Sequence, residues 1–519
     1  MFGVNILTVS LFILTARVVY GVFTSWYRLR SFPGPFVAAV SKLWIVRGVL
    51  NKSLHLDLKQ VCEEYGSFVR VSPNDIVTDS LDHALAMSSV RSPYRRSEIY
   101  SNVKFDFEMD HVFSERDENR HQSLRRKLSA GYSGKENTHL EAGIDGQIRI
   151  LVDLIDSKYL STQSSKRTLE FSRLAQFFTL DVITEVAFGQ AFGFLSRDED
   201  INGYCHVAEQ ALPVFEWLGV FGTLNKMIRL PGIRNLTMPR PTDKTGVGMM
   251  MGYAKKIVSE RFDSTKVPRD DMLGSFERHG LSSREAETEA TLQIMAGSDT
   301  TVTALRSTLL FIMTNPVIYA KVQKELEAAY QDQDILTAQG IICDAATQKL
   351  TYLLACIRES IRMLPPAFAM LQKQTPPEGD LLPDGRFIPG GTRVGTCVYG
   401  IVRSKAIFGE DADVYRPERW IEADNAANLD PENNTSSAKV TYRRMIQAAD
   451  IVFGSGRYQC LGKTVAMFEL RKTLATLLHR YDIVSVNPSQ PWVSVPANGL
   501  LLQSDMWVKV TARENTESL

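Results

Sequence analysis

Between Phe2 and Trp26 the chain is predominantly apolar, with Arg17 its one charge, and that length is enough to cross a bilayer as a helix. A central arginine costs about 2.5–3.5 kcal/mol on insertion scales, which the surrounding apolar residues offset when the side chain snorkels. Pro33 and Pro35 around Gly34 forbid helix next and predict a stiff connector. Phe68 to Val71 and Ile76 to Thr78, separated by Ser72-Pro73-Asn74-Asp75, predict a strand hairpin. From about Asn119 to Arg362 helical spacing dominates. Within it, the run from Ser283 to Asn315 opens on a capping box of Ser282 with Glu285 and closes at Pro316. A helix of roughly 30 residues spans about 45 Å, the width of a whole protein body. Ala211 to Pro241 mixes Leu212, Val214, Phe215, Trp217 and Leu218 with Gly and Pro, which predicts a loop-rich apolar segment, either core or dipping into a membrane. Arg386 to Ile388, the turn Pro389-Gly390-Gly391 and Thr392 to Val402 predict a second sheet region, and Asp424 to Lys439 a polar surface loop. A last amphipathic helix runs from Leu461 to His479. The pattern is mainly α with small β-sheets.

Charge adds an exclusion. Lys plus Arg and Asp plus Glu number 59 each, so no electrostatic ground exists for a nucleic-acid partner. Six scattered cysteines without CxxC spacing fit a reducing compartment. Arg28, Arg30, Lys42 and Arg47 follow the apolar segment, which orients the rest of the chain to the cytosol as a single-pass protein.

Three motifs carry chemistry. Phe453-Gly-Ser-Gly456-Arg457-Tyr458-Gln-Cys460-Leu-Gly462 is a glycine-rich loop that delivers a cysteine to a helix start. Unpaired N–H groups and the helix dipole there favour a thiolate able to ligate metal, and Gly456 and Gly462 let the backbone approach a flat cofactor. Ala296-Gly297-Ser-Asp299-Thr300-Thr301 lies mid-helix, where the Thr300 hydroxyl can bond the Ala296 carbonyl and, with Gly297, open a groove for a diatomic ligand and water. Asp299 and Thr300 are there the candidate proton relay. Glu359-Ser-Ile-Arg362 puts an acid and a guanidinium on one helix face.

The cysteine loop resembles that of cytochrome P450, FxxGx[RH]xCxG, at Phe453, Gly456, Cys460 and Gly462, with Tyr458 where the family has the propionate-binding Arg or His and Arg457 beside it as a substitute. The central hexapeptide resembles the family's [AG]Gx[DE]T[TS] oxygen-activation motif. The resemblance implies the P450 fold, haem b (iron protoporphyrin IX) with Cys460 as axial ligand, and a buried triad of Glu359 and Arg362 with Arg419 of Pro417-Glu-Arg-Trp420. It further implies haem contacts from Ala296 and Gly297, propionate contacts from His121 and Arg125 at the family's WxxxR position and from Lys373, and a substrate pocket formed by Ala296, Ala367, Phe368 and Ala369. Ser114 to Asp117 and Ala130 to Asn137 resemble the fungal branch around pisatin demethylase and benzoate hydroxylase.

These features imply a monooxygenase that inserts one oxygen atom from O2 into a small lipophilic secondary metabolite of terpenoid, polyketide or alkaloid type. No dinucleotide fingerprint is present, so electrons are expected from NADPH through a separate NADPH-cytochrome P450 reductase. The implied organisation is a transmembrane anchor over 1–27 in the endoplasmic reticulum, in contact with membrane lipid, a hinge over 28–45, and one catalytic domain over 46–519 facing the cytosol. A P450-fold isomerase or dehydratase, or a haem-binding accessory subunit, are the competing readings; the acid–alcohol pair Asp299 and Thr300 argues against both.

Overall fold

A computed structural model describes residues 2–106, 108–228, 230, 232–233, 238–262, 269–429 and 435–513. The apolar N-terminal run forms one helix, Phe2–Arg28, and the window Thr8–Arg28 within it is long and apolar enough to cross a membrane, with mean hydropathy 1.5. Its last turn docks on the body. Buried Arg70 donates to the carbonyls of Ser25 (2.8 Å) and Trp26 (3.1 Å), capping a helix end where cations are favoured, and also to Pro73 (2.9 Å). Arg28 donates to the Gly390 carbonyl at 2.8 Å. Leu29 and Phe32 are buried in a small core with Phe68, Ile76, Tyr94 and Val394. The expected connector is therefore partly helical: Pro35 precedes a short helix, Phe36–Val40, and Leu43–Leu50 follows.

The hairpin forms as the pattern predicts, strand Phe68–Ser72 pairing antiparallel with Asp75–Thr78. The second sheet region differs. Phe387–Ile388 turns back on Asp380–Leu381, whereas Arg393–Thr396 joins the first sheet parallel to Asp75–Thr78, and Val398–Val402 is helix. Lys373–Gln374 and Arg95–Arg96 complete that five-stranded sheet.

Helices make the rest. The central helix is Ser283–Met313, with both halves of the Ser282/Glu285 capping box present; Pro316 begins the next helix, Pro316–Ala329, where its missing N–H costs nothing. Around the central helix pack Phe171–Phe188, Gly246–Arg261, Thr351–Met363 and Lys463–Arg480. Helix Phe171–Phe188 is buried on nearly all sides. The segment from Ala211 begins as helix, not loop: Tyr204–Val220 is helical through Pro213, burying Leu212 and Leu218 and exposing Val214, and Gly222–Ile228 is helix too, whereas 238–245 is irregular; residues 229, 231 and 234–237 lie outside the described residues. The expected polar loop after Asp424 is helical to Asn428 and again from Ser437; residues 430–434 lie outside the described residues.

Arg70→Ala should leave the body folded and free the anchor junction. In limited trypsin digestion of the full chain, cleavage after Arg28 or Arg30 should be about tenfold faster than in wild type, as expected when a local opening loses its only buried cap; unchanged cleavage would refute the docking role.

Candidate active site

Cys460 is held by its own loop and by a neighbouring helix. Its N–H donates to the Phe453 carbonyl at 2.7 Å, and Arg125 of helix Glu118–Tyr132 donates to the Gln459 carbonyl at 2.7 Å. Gly456 sits at φ +55°, and a Cβ there would fall 2.1 Å from the Ser88 carbonyl oxygen. Its glycine is thus demanded by the loop's approach to helix Leu81–Ser88, rather than by room for a cofactor as the sequence suggests. Cys460 keeps open surface although the fold encloses it, so its sulfur faces interior space. Helix Lys463–Arg480 starts beside it, and the N–H groups of Gly462 and Lys463 reach the sulfur. They do not suffice for the expected thiolate: burial pushes the thiol up, against those N–H groups and the charges of Arg125 and Lys463. A metal cation bound to sulfur would remove the proton outright.

Beside this loop lies a concentration of positive charge. His121 and Lys373 are buried, as is Arg96, which the sequence reading missed. Only strand alternation marked it, with Arg95 exposed and Arg96 inward. Burial first, then Arg96, Arg125, Lys373 and Arg457, push His121 down to about 3. Burial likewise depresses Lys373, Arg96 and Arg125. His121 Nε2 and the Nε atoms of Arg96 and Arg457 are buried without a hydrogen-bond partner. Tyr458 fills the space between: Lys373 Nζ lies 3.7 Å over its ring, the His121 ring is 5.3 Å away, and its hydroxyl donates to Glu118. Arg457 spends its terminal nitrogen on the carbonyls of Ser92 and Tyr94. Lys373 Nζ bonds the Tyr100 hydroxyl at 3.2 Å and Arg457 Nε lies 3.5 Å from the Glu118 carboxylate, which leaves Arg96 Nε and the neutral His121 Nε2 as unanswered donors within a cluster of cations, a set that fits a ligand carrying carboxylates, as the two propionates of haem b do.

The middle of the central helix also opens inward. Ala296 is exposed, and the Thr300 hydroxyl donates to its carbonyl at 3.0 Å. Gly297 does another job than the one expected: a Cβ would fall 2.8 Å from the Ile183 side chain, so this glycine lets helix Phe171–Phe188 pack close and does not face a cofactor. Asp299 turns the same way. Its Oδ1 accepts from Gln176 Nε2 at 2.7 Å, near Arg306, and burial raises its carboxyl despite both. It lines a cavity of about 20 Å³ with Gln176, Glu209 and Arg306, so the direct Asp299–Thr300 relay is not the arrangement present.

Glu359, Arg362 and Arg419 come together, fully buried. Glu359 accepts from Arg362 Nε (2.9 Å) and Nη2 (2.7 Å), Arg419 Nε (2.9 Å), Trp420 Nε1 (2.9 Å) and the Arg416 N–H (3.1 Å).

A cavity of about 360 Å³ lies between helices Leu43–Leu50, Leu54–Tyr65 and Tyr204–Val220, the Tyr100 loop and the segment Phe368–Gln372. Of the expected pocket residues it takes Phe368 and Ala369; Ala296 and Ala367 are not in its wall. Its wall residues Val49 and Val220 are followed in the chain by exposed Leu50 and Phe221, and Phe36, Leu43 and Leu224 of the neighbouring helices are exposed as well.

The cytochrome P450 family model matches residues 31–506. The chain is 38% identical over 508 residues to cytochrome P450 monooxygenase ABA1 of Pyricularia oryzae, covering 96% of each. It is 35% identical over 492 residues to cytochrome P450 monooxygenase aba1 of Botryotinia fuckeliana, covering 94% of this chain and 93% of that one. To pisatin demethylase of Fusarium vanettenii it is 25% identical over 490 residues, covering 92% and 89%. With the motifs, the helical fold and a whole-length family match in agreement, the chain belongs to the cytochrome P450 family and is a haem-dependent monooxygenase.

Proposed function

We propose that this chain is a membrane-anchored monooxygenase that oxygenates a lipophilic secondary metabolite, with Cys460 as the axial iron ligand and Arg96, His121, Arg125 and Lys373 receiving the haem propionates. The observation that carries it is the enclosed Cys460, open to interior space beside Arg96, His121, Arg125 and Lys373, where Arg96 Nε and His121 Nε2 have no hydrogen-bond partner. When bound, haem supplies the activation of dioxygen and the transfer of one oxygen atom to substrate, with the thiolate donating electron density in its established family role. The chain supplies the rest. Phe453, Gly456, Arg457 and Gly462 shape the loop that aims the sulfur, and Arg125 clamps it through Gln459. The Thr300 hydroxyl, bonded to the Ala296 carbonyl, holds a proton at the groove of the central helix. Asp299 stands on the far side, its carboxyl raised by burial, and would deliver a proton by swinging from Gln176. Glu359, Arg362 and Arg419 position the cysteine loop without touching the reaction.

Electrons would come from NADPH through a separate reductase. The apolar helix Phe2–Arg28 and the exposed Phe36, Leu43, Phe221 and Leu224 support an endoplasmic reticulum anchor with the body, 46–519, in the cytosol and seated on the membrane. A cavity whose wall takes in Val49 and Val220, next to exposed Leu50 and Phe221, would admit a substrate dissolved in lipid. The names of the relatives, monooxygenases of fungal metabolism among them a demethylase, support a secondary-metabolite substrate.

Expression with a partner reductase should yield a product one oxygen heavier, labelled from isotopic oxygen gas; a product without that label would overturn the reading. Cys460→Ser should abolish the thiolate-type Soret shift of the reduced carbon-monoxide complex, and its persistence would exclude this sulfur as ligand. In Thr300→Ala, haem content should be unchanged while product per NADPH falls about tenfold or more and hydrogen peroxide rises; equal coupling would remove the hydroxyl from the proton path. Glu359→Gln should cost about 3–5 kcal/mol in thermal unfolding by stranding two buried guanidinium groups, with haem lost before global unfolding. A variant as stable as wild type would contradict the positioning role.

A further inference from the structure

The chain from Val103 to Glu115 is stitched largely by its own groups. His111 is wholly buried and its Nε2 bonds the Val103 carbonyl at 3.0 Å, Lys104 pairs with Asp110 at 2.7 Å, and the Ser114 hydroxyl donates to Asp110 at 2.7 Å. The His111 carbonyl accepts the N–H groups of Ser114 and Glu115, each at 3.0 Å. The peptide groups of Val112 turn outward instead, to two distant elements. Its N–H donates to Glu289 Oε1 at 2.5 Å, 177 residues on, and its carbonyl accepts from Arg96 Nη1 at 2.7 Å.

Glu289 stands in the first half of the central helix Ser283–Met313 and is only 1% exposed. Helix formation does not call for it, since Ser282 and Glu285 already make the cap. Among the described residues its carboxyl makes one hydrogen bond, that to Val112, and Oε2 has none. Burial pushes it up to about 8, so at pH 7 the group is uncharged and serves as a plain acceptor. Two helical turns separate Glu289 from Ala296, so both lie on one helix face, about 10.5 Å apart along the axis. Arg96 holds the other end of the Val112 peptide. Its Nη1 is spent on the Val112 and Glu115 carbonyls, its Nε has no hydrogen-bond partner, and the guanidinium lies 4.7 Å over the Tyr458 ring. A guanidinium braced in this way has a set direction, which matters for a carboxylate that must meet it. The other tie between this stretch and the central helix, Asp106 with Arg284, is a partly exposed ion pair and weak by comparison.

We propose that Glu289 is a positioning residue for the cofactor: by holding the Val112 N–H it fixes the peptide that braces Arg96, and with it the guanidinium that receives a haem propionate. This rests on the reading of Arg96 as a propionate contact and extends that site to the central helix. The helix that carries Thr300 and a cation at the haem edge are then registered to each other through one peptide group. Glu289 itself touches neither haem nor substrate.

The test is haem release from the ferric full chain in detergent, followed as transfer to excess apomyoglobin. Glu289→Leu should release haem about tenfold faster than wild type, the change expected when one buried hydrogen bond is lost. Glu289→Gln keeps an acceptor oxygen in the same place and should stay within threefold of wild type. Arg96→Met should also release haem about tenfold faster, and adding Glu289→Leu to it should change the rate less than threefold, because the two act on one contact. The proposal is overturned by a leucine variant within threefold of wild type, by a glutamine variant beyond that limit, or by a threefold or larger effect of Glu289→Leu beside Arg96→Met. The last is the result a merely structural residue would give. Should the leucine variant fail to fold, Glu289→Ala, whose gap admits water, is read against the same limits. An Arg96→Met rate within threefold of wild type removes Arg96 from the propionate site and the proposal with it. The reduced carbon-monoxide spectrum separates the remaining failures: a wild type without the thiolate-type Soret shift sinks the haem-thiolate reading, whereas an intact shift with an unchanged Glu289→Leu rate sinks the positioning role alone.

Discussion

One carboxylate organises the proximal half of this protein. Glu359 is completely removed from water and serves two guanidinium groups, an indole and a backbone N–H at once. The remaining donors of Arg362 reach the carbonyls of Val402 and Ala412, and those of Arg419 the carbonyls of Phe408 and Asp411. So many fixed geometries bind helix Thr351–Met363 to the irregular chain around residues 402–416, a stretch with few ladder bonds of its own. Helix Glu418–Asn428 starts from that stretch and packs on Ser437–Asp450, which runs directly into the cysteine loop. Buried ion pairs are poor contributors to net stability but strong determinants of a unique arrangement. In the proposed reading, the arrangement determined would be the place of a sulfur atom several elements away.

The site built on this frame is unfavourable in isolation. Arg96, Lys373 and Arg457 crowd a poorly solvated region around a neutral His121; after burial their charges lower His121, and Arg96 and Arg457 likewise lower Lys373. Cys460 meets the complementary problem, since its surroundings resist the anion that iron requires. A dianionic ligand with a central cation would cure both at once: its carboxylates would answer the guanidinium and ammonium groups and its metal the sulfur. Binding free energy of this kind is also folding free energy, so the body should gain much of its rigidity from the group it holds.

Legibility from sequence followed distance along the chain. The Ser282/Glu285 cap, the Thr300 to Ala296 bond and the Phe68 hairpin involve partners within a few residues, and local chemistry decided them. Val398–Val402 was read as strand because a short apolar run has no decisive period; the partner that ends the strand at Thr396 lies at Thr78, far away in sequence. Pro213 and nearby glycines suggested a loop after Ala211, yet burial of Leu212 and Leu218 carries the helix through the proline. Arg96 carried no motif, only the alternation of a two-residue strand, and its significance arises from the groups of distant elements that surround it.

The separation of Asp299 from Thr300 follows from helix geometry. Neighbouring residues on a helix point about 100° apart, whereas residues four apart share a face. Thr300 therefore sides with Ala296 and the open groove, while Asp299 faces helix Phe171–Phe188 with Gln176. An acid placed there stays out of the groove until its side chain rotates, and its bond to Gln176 sets a barrier to that rotation. Arg306, which also donates to Gln176 and to the Ser172 carbonyl, keeps Gln176 in place. In the proposed reading proton delivery would be a gated event, and the gate would belong to the packing of two helices that Gly297 lets approach closely.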